Sequence, residues 1–340
     1  MAFFLVFAVA FALALALTPL GGWLGQRYGF VAVPGGRRRH VGRVSRLGGV
    51  ALYVAFVTAA VLAQFLPVER QDPKELTRLA GMLLGSTLIF LMGLWDDKRE
   101  LSPAPQLIAQ LIASLIAIHF LIFIEVVNNP FTNRPVWFPW AITLPLSVFW
   151  LMGMMNTVNF LDGLDGLAAG ITLIASLIFF VHTFRLEQYS VALLPLALAG
   201  CTLGFLPYNS HPAKVFMGSS GSYFLGFALG TLSIMAGAKM ATALLVLGIP
   251  ILDVAWLIVD RIRRGRLPFW GDRCHLHHRL LDLGLSQRRI VSLYYLLCAS
   301  FGALALLLPS RIYKLYAIVG MGVIALIFLA VVVPRGREGV

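Results

Sequence analysis

The sequence predicts an all-α, multi-pass membrane protein, and three observations carry that prediction. Of its 340 residues, 59% are hydrophobic and only 12% are charged, against about 45–50% apolar and about 25% charged in soluble domains. Apolar stretches of about 17 to 25 residues recur along the chain, each long enough to cross the ~30 Å of a hydrocarbon core. The basic residues, which bring the net charge to +12, sit between these stretches instead of forming one stripe. That pattern speaks for membrane topology and against nucleic acid as a partner.

Taken in order, apolar runs bounded by charged, proline or glycine breaks predict eleven spans, near 2–26, 47–66, 79–95, 104–124, 138–155, 165–184, 188–206, 217–235, 240–260, 290–308 and 312–333. Short turns around Leu186 and Lys239 make ten the alternative count. The first run has no charged residue ahead of it and continues to Trp23, so it reads as a retained span and not a cleaved signal. No soluble linker interrupts the spans, and 1–340 reads as a single integral-membrane domain. With eleven spans, the loops near 27–46, 95–103, 156–164, 207–216 and 261–289, together with the C-terminal tail, share one side and hold most of the 27 Lys and Arg. The positive-inside rule assigns that side to the cytoplasm, with the N-terminus outside and the C-terminus inside. Cys201, Cys274 and Cys298 show neither disulfide nor zinc spacing.

Every polar motif falls on the same side. Asp96 and Asp97 are adjacent carboxylates where the third span ends; their mutual repulsion calls for a cation or a proton, unless the stretch is simply a solvated loop. The run from Asn156 to Leu167 interleaves Asn159, Asp162 and Asp165 with Gly163 and Gly166 between two apolar spans. Ionisable residues at such a depth are functional candidates, and capping of the next helix is the structural alternative. From Tyr208 to Ser222, small residues open a helix whose N–H groups suit a diphosphate, or else serve close helix packing. The basic loop from Arg261 to Arg289 contains Arg273, His275, His277 and His278. Adjacent histidines face different directions on a helix, which favours anion binding over a zinc site.

Arg46-Leu47-Gly48-Gly49, Asp96-Asp97 with Leu101-Ser102-Pro103, Asn159-x-x-Asp162-Gly-Leu-Asp165-Gly-Leu, Phe216-Met217-Gly218 with Gly221-Ser222, and His275-x-His277-His278 follow one another over residues of about 37 to 284. Together they resemble the polyprenyl-phosphate N-acetylhexosamine-1-phosphate transferase superfamily (glycosyltransferase family 4). The resemblance implies a ten- or eleven-span fold in the bacterial inner membrane, with a cytoplasmic cleft. It implies catalytic carboxylates Asp96, Asp97, Asp162 and Asp165 around Mg2+, or Mn2+ in its place, with Asp97 and Asp162 as metal ligands and Asp96 as proton acceptor. Arg43, Asn159, Asn209, Phe216, Gly218, Ser219, Arg273, His275, His277 and His278 are implied to hold substrate. The implied reaction moves a sugar-1-phosphate from a UDP-sugar to undecaprenyl or another polyprenyl phosphate, releases UMP and starts a cell-envelope glycan. Asp272-Arg273-x-His-Leu-His-His looks more like the GlcNAc-type branch than the MurNAc-pentapeptide branch. Implied partners are these two substrates and membrane lipids, with a second copy of the chain as a further candidate.

Two positions depart from the family pattern. Gln106 stands where many relatives have Lys, and Ser219 stands where the family reads a metal-binding Asp in Gly-Asp-x-Gly-Ser. A neutral hydroxyl is a poorer Mg2+ ligand, which opens three alternatives: a variant using another carboxylate, an engineered trapped form, or an inactive paralogue. A transporter of lipid-linked sugar is the non-enzymatic rival, although its polar groups belong at mid-membrane in related halves. A CDP-alcohol phosphotransferase fits poorly, because Asp165-Gly166 is followed by Leu167-Ala168-Ala169-Gly170 and not by that family's Ala-Arg pair.

Overall fold

The structure is a computed structural model describing residues 1–32, 42–235, 240–263, 265 and 276–335, with side chains as far as 327. It is an α-helical bundle: α1 (Ala2–Tyr28), α2 (Gly48–Leu62), α3 (Glu75–Arg99), α4 (Pro103–His119), α5 (Trp140–Leu161), α6 (Leu167–Arg185), α7 (Tyr189–Asn209), α8 (Gly218–Met235), α9 (Met240–Val246), α10 (Gly248–Arg263), α11 (Leu276–Asp282), α12 (Gln287–Leu307) and α13 (Arg311–Arg335). Among the described residues two short antiparallel strand pairs join it: β1 (Val31–Ala32) with β2 (Val44–Ser45), and the hairpin of β3 (Val126–Asn128) with β4 (Pro135–Trp137). Among the described residues, seven helices are long and apolar enough to cross a bilayer, and eight if the bent pair α9 and α10 counts as one. The chain is thus a multi-pass membrane protein.

The region 240–260, expected as one straight span, bends by 80° between α9 and α10. Pro250 explains the break, since it has no N–H to offer the Val246 carbonyl and its ring crowds that turn. Helix α4 covers 17 residues, about 26 Å, and the expected span is completed by non-helical chain in which Ile122 and Ile124 are buried. Three expected loops are shorter than the hydropathy suggested. Helix α3 carries Asp96 and Asp97 on its last turns, α5 carries Asn156 and Asn159, and α7 runs on to Asn209.

Helix α7 lies between α1 and α6, and α8 between α3 and α5. Both are enclosed along most of their length. Small side chains on them, such as Ala197, Ala199, Ser222 and Ala228, let neighbouring backbones approach, the usual basis of packing where lipid is as apolar as the protein. On the outside Phe4, Trp23, Phe149, Val319 and Ile324 are exposed, as befits a surface solvated by acyl chains.

Candidate active site

A cleft of about 820 Å³ opens at the end of the bundle where α3, α5 and α7 finish and α4, α6 and α8 begin. Its walls include Arg46, Asp96, Asp97, Asn159, Asp162, Asp165, Asn209, Phe216, Gly218, Ser219 and His278. Segments far apart in sequence are stitched together here by backbone. Phe216 N–H donates to the Ser45 carbonyl at 2.8 Å, while Gly48 N–H and Gly49 N–H donate to the carbonyls of Phe216 and Met217, both at 3.0 Å.

Asp97 is held by three hydrogen bonds from the start of α8. Its Oδ1 accepts Ser219 N–H at 2.7 Å, and its Oδ2 accepts Ser220 N–H at 3.1 Å and the Ser220 hydroxyl at 2.7 Å. The helix start expected to cradle a diphosphate is therefore occupied by the protein's own carboxylate, which suits the positive end of the α8 dipole. Gly218 makes this contact possible. Its φ is +69°, and a Cβ there would lie 2.5 Å from Asp97 Oδ2 and 2.5 Å from the Arg46 carbonyl oxygen.

Asp96 is oriented by different partners. Its Oδ1 accepts Leu101 N–H at 2.8 Å and Gln106 Nε2–H at 2.9 Å, and Gln106 Oε1 in turn accepts the Tyr223 hydroxyl at 2.9 Å. Asp96 Oδ2 makes no hydrogen bond among the described residues. Helix α8 thus braces both acids of the pair, one directly and one through Gln106.

Asp162 follows the last turn of α5 and makes no side-chain hydrogen bond among the described residues. Burial holds its carboxyl well above the ordinary value; the carboxylates of Asp97 and Asp165 push in the same direction, and Arg46 opposes them. Capping does not explain Asp162 or Asp165, since no side chain caps the start of α6. Asp165 Oδ2 instead meets His211 Nδ1 at 2.7 Å and accepts Ala213 N–H at 3.2 Å. No three His, Cys, Asp or Glu side chains among the described residues form a ready metal cage. Among the described residues, the excess of carboxylate oxygens in the wall over the guanidinium of Arg46 suits a hard divalent cation shared with substrate phosphates, which is how Mg2+ is commonly held.

The remaining expected residues divide. Asn159 lines the cleft and donates to Ser222 Oγ at 2.9 Å. Asn209 also lines it, yet its amide is committed to backbone, accepting Gly166 N–H at 3.1 Å and donating to the Val215 carbonyl at 3.1 Å. Arg43 is exposed and not part of the wall; Arg46, three residues on, takes that place and pairs with Glu100 at 3.1 Å. Of the histidines, His278 reaches the cleft, whereas His277 is buried behind it, 4.3 Å from the His278 ring. A Cβ on Gly163 would lie 2.6 Å from His277 Nε2, so the bare backbone of the 162–166 turn lets the histidine segment close down. Arg273 and His275 lie outside the described residues. Gln106 and His211, missing from the expected site, line the wall as well.

An all-α membrane bundle whose acids converge in a cleft at one end is suited to chemistry on charged groups. The family model for glycosyl transferase family 4 matches residues 79–237, the stretch from α3 to α8 that supplies all four aspartates. The chain belongs to this family, the polyprenyl-phosphate N-acetylhexosamine-1-phosphate transferase superfamily. It is 33% identical over 310 residues to "Probable undecaprenyl-phosphate N-acetylglucosaminyl 1-phosphate transferase" of Bacillus subtilis (strain 168), covering 89% of this chain and 84% of the relative. It is 36% identical over 304 residues to "Decaprenyl-phosphate N-acetylglucosaminephosphotransferase" of Mycolicibacterium smegmatis, covering 81% and 75%. "Phospho-N-acetylmuramoyl-pentapeptide-transferase" of Bacillus subtilis (strain 168) is 32% identical over 265 residues, covering 73% and 78%.

Proposed function

We propose that this chain transfers GlcNAc-1-phosphate from UDP-GlcNAc to a polyprenyl phosphate, undecaprenyl phosphate in the first instance, and releases UMP. The observation that carries the reading is the presence of a locked carboxylate, Asp97, and of one without a side-chain hydrogen bond among the described residues, Asp162, in a cleft at the end of a membrane bundle. Relatives named for GlcNAc transfer match more of this chain than those named for the muramoyl-pentapeptide, which supports the sugar. Eleven traverses with the N-terminus outside would put the cleft on the cytoplasmic face of a bacterial inner membrane, where nucleotide sugars are available. The product would start a cell-envelope glycan.

In this reading a lipid phosphate oxygen attacks the β-phosphorus of the UDP-sugar. One P–O bond forms, the P–O bond to UMP breaks, and UMP leaves with the bridging oxygen. Both reactants are anionic, so orientation and charge neutralisation dominate, as in phosphoryl transfer generally. Asp162 and Asp97 would hold Mg2+, or Mn2+ in its place, which when bound neutralises the diphosphate. Asp96 Oδ2, free of hydrogen bonds among the described residues, accepts the proton of a singly ionised lipid phosphate. Arg46 and His278 line the same cleft and would donate to the departing phosphate. Ser219 Oγ also lines the cleft and makes no hydrogen bond among the described residues, so it offers a neutral oxygen where the family pattern has a charged one.

UMP release from purified protein supplied with UDP-GlcNAc, undecaprenyl phosphate and Mg2+ tests the reading against a control without lipid. Lipid-dependent UMP that disappears in Asp162→Asn is the expected result. Ser219→Asp is expected to tighten Mg2+ binding at least several-fold by adding a carboxylate. Activity only in Ser219→Asp would mark the chain as a disabled member of its family. Inactivity of both across several UDP-sugars would turn the assignment toward a non-enzymatic role.

A further inference from the structure

We infer that His211 is a phosphate-contacting residue of the cleft and that Asp165 acts through it, as a positioning residue, and not on metal or reacting atoms. The inference rests on the functional reading above and changes the role of one of its four acids. Asp165 spends Oδ2 on two partners from the segment after α7, the His211 ring at 2.7 Å and Ala213 N–H at 3.2 Å. A carboxylate only accepts, so the His211 nitrogen facing it, Nδ1, carries a proton. That fixes the ring plane and the nitrogen turned to the carboxylate, as a carboxylate does behind a working imidazole. Nε2 makes no hydrogen bond among the described residues. The side chain is 41% exposed, and His211 lines the same cleft as Asp162 and Ser219.

Bracing of the loop does not account for the imidazole. Asn209 already ties Gly166 to Val215, the Tyr295 hydroxyl donates to the Gly166 carbonyl at 2.5 Å, and Ala213 N–H joins the loop to Asp165 without help from the ring. Arg288 at the start of α12 donates to the His211 carbonyl at 3.4 Å and so steadies the backbone without touching the ring. What remains is a held imidazole in the wall of a cleft whose proposed reactants are anionic. As an imidazolium it donates Nε2–H to a phosphoryl oxygen, with Asp165 balancing its charge from behind. That oxygen belongs either to the nucleotide diphosphate or to the lipid phosphate.

The test is a double-mutant cycle of His211→Ala and Asp165→Asn, with His211→Gln as the conservative variant, in protein whose thermal unfolding matches the unaltered chain. His211→Ala is expected to lower kcat/KM by about 10- to 100-fold, the worth of a charge-assisted hydrogen bond, with His211→Gln restoring most of it. Asp165→Asn should cost a similar factor in the unaltered chain and less than about twofold in His211→Ala, because its effect passes through the lost ring. Separate titrations with UDP and with undecaprenyl phosphate identify the source of the oxygen, and His211→Ala must weaken one of them. An undiminished Asp165→Asn loss in the His211→Ala background, or both titrations unchanged, overturns the inference. If the unaltered chain releases no UMP, the functional reading fails by itself, and the two titrations still decide whether His211 meets phosphate.

Discussion

Gln106 shows how a single amide can decide which oxygen of an acid does the work. It occupies Asp96 Oδ1 and is itself held by Tyr223, so Oδ2 is the atom left to the cleft. Gln106→Met, equal in length but without hydrogen bonds, is expected to lower kcat by about tenfold while leaving KM for the nucleotide within about twofold. Tyr223→Phe should matter only while Gln106 is present, and steady-state kinetics of the four combinations checks this. Asp162 makes the site sensitive to pH. Its carboxyl sits well above 3.8 in the folded protein, chiefly through burial, so the folded state keeps a proton that the unfolded chain releases. Without metal, that stabilisation is complete below the ordinary value and is lost as pH rises through the raised one. In the proposed reading Mg2+ would compete for the same oxygens, so the gain in thermal stability on adding it is expected to grow with pH over that range and to vanish in Asp162→Asn. The acids were legible in sequence because carboxylates between apolar spans are costly and conspicuous. Arg46 and His211 were present in the quoted motifs but were not singled out, since nothing in the spacing says which basic residue turns inward.

At the scale of elements, hydropathy marked where the chain meets lipid and not where the helix ends. Helices α3 and α5 therefore outrun their expected spans and deliver Asp96, Asp97 and Asn159 from rigid backbone, more precise than the loops the sequence suggested. The break between α9 and α10 went unread because Gly248 and Pro250 sit inside an unbroken apolar run. It tilts a helix whose buried Asp253 accepts the Leu276 N–H at 2.9 Å, anchoring the segment that carries His277 and His278. Asp253→Ala is expected to speed amide hydrogen exchange over 276–282 and to reduce kcat/KM at least tenfold, an effect of the kind that misplaced groups produce far from the chemistry. Unchanged exchange in that segment would remove Asp253 from this role. The β3–β4 hairpin was not foreseen, as three-residue strands leave no readable alternation.

Across the whole molecule, the polar motifs gather at one end while the β3–β4 hairpin follows the opposite end of α4. Cysteines placed at Asn133 in the hairpin and at Lys214 beside the cleft, with the native cysteines replaced, should report the two ends separately. In intact cells a membrane-impermeant maleimide is expected to label the hairpin position, and Lys214→Cys only after permeabilisation. The reverse pattern would invert the orientation and remove the cleft from the cytoplasm. Beneath the acids the bundle is closed by Leu52, Phe56, Leu151, Phe224 and Phe227, all fully buried. That hydrocarbon stopper works as an electrical insulator: a headgroup that acquires charge in the cleft faces a steep dielectric barrier if it is to emerge at the far end. If the chain performs the transfer proposed above, chemistry and translocation are separate tasks, and a sugar joined to its carrier would stay in the leaflet where it was joined.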